Sequence, residues 1–391
     1  MIKMTIGWIF TGLACLIFSF FLIEATAEMK EVKTLSEIMG EKIDFQTIDL
    51  ASNSYMYDQH GDLISELYSE QNRIYLPYEE IPNEVIDAFI ATEDQRFFEH
   101  RGYDAIAMVR ALLANVRQQG IEEGASTMTQ QLARNLFLSH DQTYNRKMTE
   151  ILYSHELEKH YTKEEIIELY INSIYFSNGV YGIEAASYYY FNKSSHHLSI
   201  AETAFLSAIP NNPSHYDPLQ NFDNTLLRQE WILQKMLESG YISEKEFDEA
   251  LDEKIQLNQR HRVDEFPDYV TYIYNELTEL VSTSEGFSSR LAQADTDEAR
   301  QKIESELQDH VQQLIESGVH IETALDPYKQ NQIQKAVQRY LPEDDIQAAV
   351  AIIDHNNHEL VALSGGKGYK KFDFHRGFQD FRQPGSAMNH Y

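Results

Sequence analysis

Glu93-Asp94-Gln95-Arg96-Phe97-Phe98-Glu99-His100-Arg101-Gly102 follows the apolar run Val85 to Ile90 and sets two adjacent carboxylates against a pair of aromatic rings. A carboxyl seated there in a partly apolar cleft would be suited to proton transfer. By spacing alone, a helix terminus with a solvated acidic face explains the same residues. Around this stretch the periodicity is helical from Pro82 to about Leu257. Ile106, Val109, Leu113 and Val116 recur at three and four, as do Ile166, Leu169, Tyr170 and Ser173.

Two further segments could carry chemistry. Gly124-Ala125-Ser126-Thr127-Met128-Thr129-Gln130-Gln131, followed by Arg134, supplies hydroxyl, amide and guanidinium donors for sugar or phosphate oxygens. The same residues also suit a helix cap, with Ser126 or Thr127 opening the helix that holds Gln130 to Phe137. In Arg146-Lys147-Met148-Thr149-Glu150, Arg146 and Glu150 stand four apart and share a helix face. A basic pair beside a carboxylate could bind a diphosphate, and an ordinary exposed ion pair has the same spacing.

Charge narrows the partners. The 391 residues hold 62 Asp and Glu against 32 Lys and Arg, a net charge of −30, so nucleic acid is not an expected partner. Residues 93 to 150 carry seven Arg and Lys against eight Asp and Glu, net −1, which leaves −29 on the other 333. Basic residues are thus spared where the three segments lie. The single cysteine, Cys15, excludes an intrachain disulfide and any multi-cysteine zinc site.

Ile6 to Ile23 runs without a charge and as a helix would extend about 27 Å, nearly a bilayer. Lys3 precedes it and Glu24 and Glu28 follow. The expected topology is therefore a single-pass membrane anchor with the N-terminus cytoplasmic and the body extracytoplasmic. A cleaved signal peptide is the alternative, because Ala25-Thr26-Ala27 resembles a cleavage site. The expected organisation is a tail and anchor over 1–28, a juxtamembrane segment over 29–80, a helical domain over 81–257, an acidic helical linker over 258–344, and the start of another domain over 345–391. Val350, Ile352, Leu360 and Val361 flank a turn at Asp354 to Asn357 in that last part, as in a hairpin.

Taken in order, these segments resemble the peptidoglycan glycosyltransferase (transglycosylase) domain of class A penicillin-binding proteins. The resemblance continues through Lys163 to Asn172, Tyr175-Phe176 with Gly179, Gly182 and Ala185, Pro210 to Pro218, and Arg228 with Ile232-Leu233. It implies a mainly α, lysozyme-like helical domain behind a transmembrane helix, followed by a linker and an incomplete α/β transpeptidase start. It also implies polymerisation of lipid II onto a growing glycan strand, with release of polyprenyl diphosphate and a role in cell-wall and cell-shape maintenance. Glu93 would be the general base, and Arg134, Arg146 and Lys147 would steady the diphosphate. Glu150 would organise that basic cluster or help hold a divalent cation, Mg or Mn. Ser126, Thr127, Gln130 and Gln131 would bind substrate, while Tyr170, Asn172 and Arg228 would buttress the cleft. The membrane and other cell-wall synthesis proteins are the expected partners.

The tail departs from that family. Ser386 stands where the acyl-accepting serine of the transpeptidase would be, yet Ser386-Ala387-Met388-Asn389 lacks the lysine that Ser-x-x-Lys requires. Transpeptidase activity is expected to be absent, and residues 345–391 are expected to pack poorly. A silent wall-assembly scaffold and a glycoside hydrolase are the competing functions. A hydrolase needs two carboxylates across one bond and no diphosphate-binding cluster.

Overall fold

The computed structural model describes residues 48–68, 71–110, 126–138, 144–341 and 346–380. The expected anchor at Ile6 to Ile23, Cys15, Leu113, Val116 and Ser386 lie outside them. Among the described residues no helix is long and apolar enough to cross a membrane. The chain divides into two compact units, one containing Tyr75–Leu257 and the other combining Ala51–Ile74 with the chain from Asn258.

The first unit is helical. Its helices are α1 (Asn83–Glu93), α2 (Met128–Phe137), α3 (Tyr144–His160), α4 (Lys163–Ser173), α5 (Ile183–Phe191), α6 (Ile200–Ala208), α7 (Phe222–Glu238) and α8 (Glu244–Asp252). Thr127, Thr162, Ser199 and Ser243 each open a helix with a reciprocal capping box, closed by Gln130, Glu165, Glu202 and Glu246. One cluster joins Ala88 and Ala91 of α1, Ala201, Ala204 and Ala208 of α6, and Ile232, Leu233 and Met236 of α7. Alanines on two of these helices let the backbones approach closely, and this fixes α1 as a rigid support for Glu93 at its last position. The expected stripe at Ile166, Leu169, Tyr170 and Ser173 is buried, whereas Ile106 and Val109 are exposed.

The second unit differs from the expected linker. Strands β1 (Ser54–Tyr57) and β2 (Leu63–Leu67) pair antiparallel, and β3 (His320–Glu322) adds parallel to β1. Around this sheet the helices are α9 (Pro267–Ser284), α10 (Phe287–Ala292), α11 (Asp297–Glu316) and α12 (Pro327–Tyr340). The acidic composition of residues 258–344 hid an apolar stripe: Leu307, Val311 and Ile315 recur every four residues along α11 and join Met56, Ile64, Tyr269 and Val270 in one core. Residues 51–74, expected within the juxtamembrane segment, are part of the same unit, and residues 258–341 form its helices rather than a linker.

The hairpin expected near Asp354 is present as β4 (Val350–Ile353) and β5 (Leu360–Ser364). Poor packing is not observed through residue 380. Val361, Ala362 and Leu363 are buried, and the buried Gln330 side chain exchanges two 2.8 Å hydrogen bonds with the Leu363 backbone. This pairing supplies the partner that composition did not reveal.

Burial pushes the His375 imidazole down to about 4. A histidine depressed in this way contributes stability that is present above its unfolded pKa near 6.5 and is lost as pH falls toward the folded value. Asp268, raised by burial, acts with the opposite sign over the acidic range. The second unit is therefore expected to lose stability from about pH 6.5 to pH 4, and less so in His375→Gln. Thermal melts of both proteins across that range check this; identical pH slopes would refute it.

Candidate active site

Glu93 ends α1 and is partly exposed, while the adjacent Asp94 is buried. The Gln131 side chain of α2 donates Nε2–H to Glu93 Oε2 at 2.8 Å, and its Oε1 accepts from the Tyr170 hydroxyl at 3.3 Å. The Glu93 carboxylate is thereby aimed by α2, which is in turn braced by α4. Tyr170 is buried edge-on to Phe89, with ring centroids 5.7 Å apart. Burial holds its phenol well above the usual range, reinforced by the Glu93 charge and opposed by Arg134. Burial pulls the Arg228 guanidinium down, opposed by the same Glu93 charge. Arg134 and Arg228 thus both lie in the electrostatic field of this corner.

Asp94 connects the corner to the second segment. Its Oδ2 accepts the Met128 N–H at 3.0 Å, and His100 Nε2 lies 2.9 and 3.0 Å from its two oxygens. Thr127 caps α2 and donates its hydroxyl to the Gly102 carbonyl at 2.6 Å. Ser126, just before the cap, accepts from Lys147 Nζ at 2.6 Å, and the same ammonium reaches Glu150 Oε2 at 2.8 Å. Arg146 Nε lies 3.1 Å from Glu150 Oε1. The ion pair that spacing allowed to be an exposed one is therefore centred on a carboxylate with 2% of its side chain exposed. Lys147 is thus held beside the N-terminus of α2, where the Asp94 carboxylate already takes the Met128 N–H, and Glu150 joins it to Arg146.

The expected residues are sorted by this geometry. Glu93, Gln131, Arg134, Tyr170 and Arg228 share one neighbourhood, and Ser126, Arg146, Lys147 and Glu150 share the adjoining one. Thr127 and Gln130, expected to bind substrate, are 2% and 1% exposed and are committed to the capping box. Asn172, expected to buttress the cleft, accepts from the Leu76 N–H at 2.9 Å and donates to the Leu76 carbonyl at 2.8 Å. Glu150 touches the two cations, and among the described residues no three His, Cys, Asp or Glu side chains gather as a metal site. With Arg146 and Lys147 already on it, Glu150 is poorly suited to hold a divalent cation.

Two features escaped the sequence reading. Arg228 stacks on Trp231, its guanidinium carbon 3.9 Å from the ring centroid, a contact that the i,i+3 spacing on α7 could have signalled. Beyond their contact with each other, Asp94 meets Met128 of α2 and His100 approaches Glu158 of α3, and no local pattern announces these two partners.

A family model described as transglycosylase matches residues 60–237. Penicillin-binding protein 4 of Bacillus subtilis (strain 168) is 48% identical over 391 residues, covering 99% of this chain and 62% of that protein. Penicillin-binding protein 1F of the same strain is 36% identical, covering 88% and 45%. Penicillin-binding protein 1A of Escherichia coli (strain K12) is 41% identical over 203 residues, covering 52% and 24%. The chain thus spans less than two thirds of the length of each of these relatives.

Proposed function

Because residues 60–237 are a transglycosylase domain of the class A penicillin-binding protein kind, we propose that the chain is a peptidoglycan glycosyltransferase that polymerises lipid II outside the membrane. The observation that carries this reading is the pairing of one oriented carboxylate, Glu93 held by Gln131, with the Arg146–Lys147 cluster linked to it through Asp94 and α2. Glu93 takes the proton of the acceptor sugar's 4-hydroxyl as that oxygen forms a bond to the anomeric carbon of the growing strand. The bond to the diphosphate oxygen breaks with inversion. An alcohol is a poor nucleophile and needs the base, whereas diphosphate leaves once its charge is met.

Arg134, Arg146 and Lys147 meet that charge. A divalent cation, Mg or Mn, we propose only as a companion of the diphosphate oxygens, and no step runs through it. Phe98, Tyr103, Ile106 and Val109 are exposed on or just after the Glu93 segment, which supports delivery of a lipid-borne substrate from a membrane surface.

Incubating the detergent-solubilised chain with lipid-linked disaccharide pentapeptide tests the proposal. Glycan polymer together with released polyprenyl diphosphate is the expected product. Shortening of preformed glycan would instead establish a hydrolase, and binding without turnover a scaffold.

A further inference from the structure

Behind the proposed base lies a buried ionic chain that the reaction itself does not use. Glu158, near the end of α3, has 6% of its side chain exposed, and its Oε1 accepts from Lys163 Nζ at 2.7 Å and from the Thr129 hydroxyl at 2.8 Å. The same oxygen lies 3.9 Å from His100 Nδ1, while His100 Nε2 meets Asp94. The Lys163 ammonium also sits 4.2 Å above the ring of Phe97, which is fully buried.

The consequence is mechanical. The first turn of α2 is gripped from two sides, with the Met128 N–H on Asp94 and the Thr129 hydroxyl on Glu158. Gln131, which aims Glu93, follows two residues later on that helix, and Arg134 three beyond it. We infer that Lys163 and Glu158 are positioning residues that hold α2 in register with Glu93, acting through Thr129 and His100 rather than on substrate. Lys163 neutralises Glu158. Without that ammonium the carboxylate is buried with only a hydroxyl and an imidazole edge, a costly state that α2 relieves by shifting. The inference rests on the glycosyltransferase reading for its kinetic consequence and on geometry alone for its structural one.

The test compares wild type, Lys163→Met, Lys163→Arg and the double variant Lys163→Met with Glu158→Gln. Polymer synthesis from lipid-linked disaccharide is followed at varied substrate, and backbone hydrogen exchange is measured on the same proteins. A displacement of about 1 Å at an acid–base site can cost roughly 100-fold. We expect Lys163→Met to lower kcat by about 10- to 100-fold with KM changed by less than about threefold. Lys163→Arg should restore most of kcat, because it returns the cation. The double variant should exceed Lys163→Met, because no unpaired carboxylate remains.

Exchange should quicken at the first-turn amides of α2, including Met128 and Gln130, and stay unchanged in α7. Wild-type kcat in Lys163→Met, no rescue by either companion, or exchange quickened evenly across the first unit would overturn the inference. If wild type makes no polymer, the glycosyltransferase reading falls, and the exchange pattern still decides this one.

Discussion

Glu93→Gln is expected to lower the rate of glycan polymerisation by roughly 10²- to 10⁴-fold, the usual worth of a positioned general base. The substitution keeps the shape of the side chain. Gln131 Nε2 now donates to Glu93 Oε2, and the amide oxygen of the variant can accept that same bond. Tyr170 would still donate to Gln131. What disappears is the ability to take a proton from the acceptor hydroxyl.

The fold should remain, with a modest cost from Arg228, whose buried guanidinium loses the favourable charge of Glu93. Glu93→Asp separates base strength from reach: the carboxylate survives but is one methylene short of Gln131, so its rate should fall between those of wild type and Glu93→Gln. Initial rates of polymer formation, with melting temperatures as a check on folding, decide the matter. A Glu93→Gln protein that polymerises at the wild-type rate would remove Glu93 from the chemistry and leave the cationic pair without a base.

What the sequence disclosed and what it hid follow from the range of the interactions. The Thr127 cap was legible because a hydroxyl residue with glutamine three places on is a local signal, and it is satisfied within one turn. The Arg146–Glu150 pairing was legible for the same reason, since i and i+4 meet on any helix. Its burial was not, because the neighbours that exclude water there come from elsewhere in the first unit. Thr127 and Gln130 were offered to substrate as well as to a helix cap, and the cap is the role that the geometry displays.

The second unit was misread for a compositional reason. The acids of α11 outweighed the Leu307, Val311 and Ile315 stripe, which Ile303 and Leu314 extend against the same core. Long-range partners such as Glu158 for His100 were beyond any one-dimensional pattern.

Gly102→Ala is expected to destabilise the first unit by about 2 to 6 kcal/mol, from two additive causes. Gly102 has φ of +89°, a region an L side chain enters at a cost of about 1 to 3 kcal/mol. A Cβ there would also stand 2.7 Å from the Ser154 carbonyl carbon and oxygen and 2.8 Å from the His155 nitrogen, all backbone atoms of α3. No rotamer change can make room, so α3 itself must retreat, and overpacking of this kind costs a further 1 to 3 kcal/mol or so.

The retreat would reach the site from two directions. Helix α3 carries Arg146, Lys147 and Glu150, and the Gly102 carbonyl is the acceptor for the Thr127 cap. Activity should therefore fall with stability rather than independently of it. Gly240→Ala isolates the first cause, since Gly240 has φ of +76° with nothing within 4 Å of an added Cβ. Its cost should be limited to the backbone strain. Urea unfolding of the two variants beside wild type measures the difference, which is the part owed to α3. Equal destabilisation by the two alanines would mean that α3 yields freely, and the close approach at Gly102 would then not be what fixes the basic pair relative to Glu93.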